Sequence, residues 1–137
     1  MGVRVRIRLK SRDREVCSSA LVNTGYEGVR PEVHIPLALA KRLGLSLEDA
    51  RSEKYAVVGG EVTAFRLGQV SVSLDVEMVG ESVLAEVVCV PGEYEVIIND
   101  VLAEELGIEI VAPRRGLWRV RGDGRVRESA EPMLWTE

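Results

Sequence analysis

Val3, Val5, Ile7 and Leu9 alternate with Arg4, Arg6, Arg8 and Lys10 along the opening stretch VRVRIRLK. A period of two predicts a strand with one face against a core and the other in water. The stretch SRDR turns the chain, and residues 15–22 return as a second, more apolar strand. The polar triplet Asn23-Thr24-Gly25 ends that strand, and a loop runs on to Pro36. There the period changes. In PLALAKRLGL, Leu37, Ala40 and Leu43 fall at helical spacing between Pro36 and Gly44, which predicts a short helix.

The middle of the chain returns to strand. Residues 55–58 and 61–67 flank Gly59-Gly60, and paired glycines supply the positive φ that a tight hairpin turn requires. Residues 69–78 and 82–90 predict two further strands, separated by Gly80. A turn at PGEY leads into EVII, and DVLAEELG predicts a second short helix, capped by Asp100 at the positive end of its dipole. IEIV and LWRVRGDGRVR finish the sheet, with Gly122-Asp123-Gly124 at a hairpin tip. The triplet Arg121-Gly122-Asp123 has the form of an adhesion motif, but a strand turn accounts for it. The sum is a mostly β fold with two short helices.

The two helical stretches echo one another. LAKRLGL at 39–45 and LAEELGI at 102–108 share the pattern L-A-x-x-L-G-aliphatic, and each follows a strand and a polar loop. Two copies are too few for a repeat array. They suggest a single domain, residues 1–137, built of two related halves.

Composition narrows the function classes. With 137 residues, 46% of them hydrophobic, the chain can bury a real core. No apolar stretch reaches the roughly 20 residues that span a bilayer, and the alternating start is unlike a signal peptide. The expectation is a soluble, cytoplasmic protein without a membrane partner. Cys17, Cys89 and His34 are the chain's only cysteines and histidine. They are too scattered for a four-ligand zinc site, so no metal or cofactor is expected. The cysteines read as small buried hydrophobes, with a bridge between them as the alternative. His34, just before Ile35-Pro36, reads as a surface or core residue. Asparagine occurs only at 23 and 99 and glutamine only at 69, while Arg, Glu and Val abound. Few amides and many charges resemble a thermophile-like composition.

The net charge of -4 hides a segregation. Six of the first fourteen residues are Arg or Lys, and six arginines lie between 114 and 127. From 67 to 113 there are ten Asp and Glu and no Lys or Arg. Basic ends around an acidic middle fit self-association or an anionic ligand, and solvated strand faces account for the same pattern. A nucleic-acid binder would use Arg4, Arg6, Arg8 and the later arginines. Aromatics at 4% give it no stacking platform, and the net acidity opposes it.

Three stretches, in this order, carry a resemblance. ALVNTGYEGVRPEVHIPLALAKRLGL, YAVVGGEVTAF and VIINDVLAEELGI resemble the retropepsin-like aspartic proteases, in particular their small bacterial and archaeal members. The likeness covers roughly residues 16–118. It implies an acid-protease barrel completed by homodimerisation, with an extended polypeptide as ligand. The catalytic position falls on Asn23, supported by Thr24 and Gly25. The flap falls on Val58, Gly59, Gly60 and Glu61, and the second signature loop on Ile97, Ile98, Asn99 and Asp100.

Two departures bear on the chemistry. In that family two aspartates about 3 Å apart share one proton, one acting as base towards a water and the other as acid towards the carbonyl. Asn23 keeps the shape and loses the proton, so this chain is expected to be a poor protease or none. It is equally consistent with a native asparagine and with one introduced to silence catalysis. The second signature also lacks its glycine, whose slot falls on Ile98 or Asn99. Asparagine is the easier substitute there, because it tolerates left-handed backbone. A non-catalytic peptide-binding or assembly module of the same fold is the alternative function.

Overall fold

The alternating first strand is bonded along both edges, and that closes the sheet. A computed structural model describes residues 2–48, 50–77 and 80–136. Strand β1 (Arg4–Ser11) pairs antiparallel with β2 (Arg14–Val22), from Arg4↔Leu21 to Ser11↔Arg14. On its other edge, Ile7 to Lys10 pair antiparallel with Leu74 to Ser71 of β5 (Gly60–Leu74). Between them lie β3 (Glu32–His34), β6 (Val83–Cys89) and β7 (Ile97–Ile98), in the ring order β1-β2-β7-β3-β6-β5. The result is a mostly β protein around a closed six-strand barrel. β4 (Arg51–Val57) adds to β5 outside the ring.

Side-chain alternation decides what fills the barrel. Val3, Val5, Ile7 and Leu9 are buried, while Arg6 and Lys10 stay exposed. Ala20, Val33, Val72, Val87 and Ile98 meet the β1 residues in one continuous cluster. Helices α1 (Leu37–Arg42) and α2 (Asp100–Glu105) add the equivalent residues of the echoed motif: Leu39, Ala40 and Leu43 from the first, Leu102, Ala103 and Leu106 from the second. The repeat is therefore a repeat of core contacts.

Three predicted boundaries shift. The strands expected at 61–67 and 69–78 are one, β5, whose register with β6 slips between Arg66 and Gln69. Gly68 lies at that slip and marks a bulge inside the strand; Met78, at the end of the second expected strand, lies outside the described residues. The loop expected before Pro36 contains β3, a three-residue strand too short to show alternation. The final strands β8 (Ile108–Ala112), β9 (Leu117–Val120) and β10 (Arg127–Glu128) form their own three-stranded sheet. The expected glycine turn is present, with φ of 93° at Gly59 and 148° at Gly60.

Charge segregation resolves within the molecule. Arg4 pairs with Glu95, Arg8 with Asp75 at 2.8 Å, Arg119 with Glu109 at 2.8 Å, and Arg125 and Arg127 with Glu77. The basic ends fold back onto the acidic middle. Residues 129–135 strap β1 and β2, with Trp135 packed against the core. Ala130 N–H donates to the Arg4 carbonyl at 2.8 Å, Met133 N–H to Ser19 Oγ at 2.8 Å, and Trp135 Nε1–H to Ser18 Oγ at 2.9 Å. Cys17 and Cys89 are both free thiols.

Leu39→Ala removes a fully buried side chain from the helix–barrel contact. The expected outcome is a loss of about 2–5 kcal/mol, read as a lower urea midpoint at unchanged slope.

Candidate functional site

Two loops leave the barrel side by side because β2 and β7 run parallel. Leu21 pairs with Ile97 and Val22 with Ile98, and Asn23 N–H donates to the Ile98 carbonyl at 3.1 Å. The chain after Asn23 and the chain after Ile98 therefore start from one edge at one level.

The Asn23 loop is a tight polar turn. Asn23 Oδ1 accepts from Gly25 N–H at 3.0 Å, and its carbonyl accepts from Tyr26 N–H at 3.0 Å. An asparagine or aspartate oxygen makes such a turn equally well. Among the described residues the Asn23 Nδ2 group has no partner. Thr24 and Gly25 are exposed.

Asn99 holds the loop from below. It is fully buried. Its Oδ1 accepts from Glu32 N–H at 3.0 Å and Leu102 N–H at 2.9 Å, and its Nδ2 donates to the Arg30 carbonyl at 2.9 Å. One side chain thus joins β3, the end of the Asn23 loop and the start of α2. Gly28 has to be glycine for this reason: a Cβ there would lie 2.8 Å from Asn99 Nδ2. Asp100 adds a second tie, accepting from Gly28 N–H at 3.2 Å and donating its own N–H to the Tyr26 carbonyl at 3.1 Å.

Two expectations are corrected here. Asn99 is not left-handed; its φ of -82° and ψ of 177° are extended. It is also the cap of α2 in place of Asp100, because a capping oxygen must reach the amide three residues on, and Asn99 reaches Leu102. Asp100 Oδ1 instead accepts from Val101 N–H at 2.8 Å.

Above these loops opens a cleft of about 520 Å³, within the range of ligand sites. Asn23, Gly25, Tyr26 and Glu27 form one wall, and Ala56 and Ala64 of the β4–β5 hairpin form the other. Val88, Val90 and Ile97 supply apolar surface between them, with Glu32, His34 and Glu93. Of the sequence-predicted residues, Asn23, Gly25 and Ile97 line the cleft. Ile98 and Asn99 are buried beneath it. The hairpin tip, with Val58 fully exposed and nothing within 4 Å of a Cβ built at Gly59 or Gly60, stands open.

Tyr26, Glu27, Glu32, His34 and Glu93 are the polar lining residues that the sequence did not mark as site residues, beside the apolar Ala56, Ala64, Val88 and Val90. Tyr26 Oη donates to Glu32 Oε1 at 2.7 Å, and Arg66 bridges Glu32 at 3.3 Å and Glu53 at 2.8 Å. His34 is 4% exposed, with Nδ1 2.9 Å from the Glu95 carbonyl and Nε2 without a hydrogen-bond partner. Donation to that carbonyl places the proton on Nδ1. Burial lowers the His34 pKa, opposed by the Glu95 and Val90 carbonyls and the Glu93 charge. Among the described residues no three His, Cys, Asp or Glu side chains gather as a metal site, and no helix is long and apolar enough to cross a membrane.

No protein-family model matches the chain, and no curated protein matches it.

Asn99→Ala strands two amides and a carbonyl and removes a helix cap. The expected cost is about 2–4 kcal/mol in chemical denaturation. His34 titrates lower in the folded state than unfolded, so the unfolded chain binds the extra proton first. Stability should therefore fall as pH drops below the ordinary histidine value of 6.5 and level off below the depressed folded value. Urea titrations across that window should show the slope, and His34→Gln should remove it.

Proposed function

We propose that the chain is a retropepsin-like domain, completed by homodimerisation, that holds an extended polypeptide between the Asn23 loop and the β4–β5 hairpin. Asn23 then occupies the seat of the catalytic aspartate, and the chain binds peptides with little or no hydrolysis. The observation that carries this reading is the parallel pairing of β2 with β7. It sets the Asn23 and Asn99 loops abreast under a cleft whose opposite wall is a hairpin.

The residues fit the roles. An aspartate at position 23 could accept from Gly25 N–H as Asn23 does, leaving its second oxygen for a shared proton. In Asn23 that second atom is an amide nitrogen, which donates to a ligand carbonyl and moves no proton. Thr24 is exposed on the same turn, free to meet its counterpart from a second copy. Val29 at 91% exposure and fully exposed Val58 are apolar surface, on the loop after Asn23 and at the hairpin tip, that a partner or ligand would cover. β4 pairs only with β5 among the described strands, so its outer edge offers backbone groups to an added strand.

The second reading is a peptide-binding or assembly module that keeps the groove without hydrolysis. It rests on the amide at position 23, which moves no proton.

Asn23→Asp decides between them. On a mixed peptide library from acidic to neutral pH, with the assembly state followed by sedimentation, the substituted protein should be a dimer. It should cleave at least about 10²- to 10⁴-fold faster than the parent. A dimer that binds peptides but stays silent supports the module, and a monomer without peptide affinity overturns both.

A further inference from the structure

The cleft wall accepts and does not neutralise. Glu27 and Glu93 line it, both exposed and neither ion-paired among the described residues. Among the described residues the Glu93 carboxylate accepts only from the Glu95 N–H, at 3.2 Å. Glu32 is committed to Tyr26 and Arg66. No Lys or Arg lines the cleft among the described residues. His34 adds no charge of its own at neutral pH, because burial disfavours the imidazolium. With its proton on Nδ1, its Nε2 is itself buried and has no hydrogen-bond partner among the described residues.

The rest of the lining has a different character. Ala56, Ala64, Val88 and Ile97 line the cleft with small or branched apolar groups. A cleft that combines apolar lining with carboxylates unpaired among the described residues matches a side chain whose stem is hydrocarbon and whose end is a cation, since such chains bury the stem and keep the head polar. A glutamate in that cleft would meet like charge, and a leucine would leave its carboxylates without a counter-charge.

We infer that the cleft takes a lysine or arginine side chain, presented by an extended polypeptide, with its stem along Ala64, Val88 and Ile97 and its head between Glu27 and Glu93. This rests on the reading that a peptide occupies the cleft, and adds to it a preference for basic sequence. Two exposed carboxylates flanking one cation set the scale. Each contributes modestly when exposed to water, so the preference over an isosteric neutral side chain should be about 3- to 10-fold, falling with added salt.

The test uses the chain as it stands, because with Asn23 in the acid's seat little or no hydrolysis is expected and binding can be read alone. Three fluorescent octapeptides, identical except for a central lysine, norleucine or glutamate, are titrated by anisotropy. Lysine should bind tightest, norleucine next and glutamate weakest, with the lysine-to-norleucine ratio shrinking in high salt. In Glu27→Gln/Glu93→Gln that ratio should fall towards one. In Glu109→Gln, remote from the cleft, it should persist, with circular dichroism confirming that both variants are folded. Equal binding of lysine and norleucine peptides overturns the basic preference and leaves the peptide reading standing. Binding of none of the three overturns both.

Discussion

One buried amide joins the parts from which the site is built. Asn99 satisfies backbone groups of three separate segments at once, and the Leu102 N–H among them would otherwise be unpaired in the interior. Its position follows from the parallel pairing of β2 with β7, which brings the end of β7 beneath the Asn23 loop. A hydrophobic side chain at 99 would pack, but it could not donate to Arg30 and accept from Glu32 and Leu102. The loop over it keeps its shape through hydrogen bonds placed by the barrel, and Gly28 is the space those bonds require.

The barrel that places this joint was largely legible. Period two in β1 and the hairpin glycines follow from rules a sequence states openly, and both helices carry their stop signals in the letters. Less legible was anything set by partners distant along the chain. β3 is a strand because Val33 and His34 lie between β6 and β7, not because three residues prefer to extend. β5 continues through Gly68 because β6 pairs with both halves of it. The final strands form a separate sheet, a choice of partner that local pattern does not encode.

The candidate site divides the same way. Asn23 and Gly25 are visible as a turn after an apolar strand, and they line the cleft. Asn99 was singled out for backbone tolerance, and the structure gives it a hydrogen-bonding task that depends on Arg30 and Glu32, residues about seventy positions away. Glu32, His34 and Glu93 were silent because their nearness to Asn23 comes from sheet order. The segregated charges likewise look like two basic arms in one dimension and become local pairs once the ends fold against the middle.

The strap at 129–135 has a consequence for the order of events in making the protein. Ser18 and Ser19 are fully buried hydroxyls, and Trp135 and Met133, more than a hundred residues later, supply their donors. Burial of both hydroxyls therefore waits on contacts made more than a hundred positions along the chain, a long-range closure of the kind that slows folding.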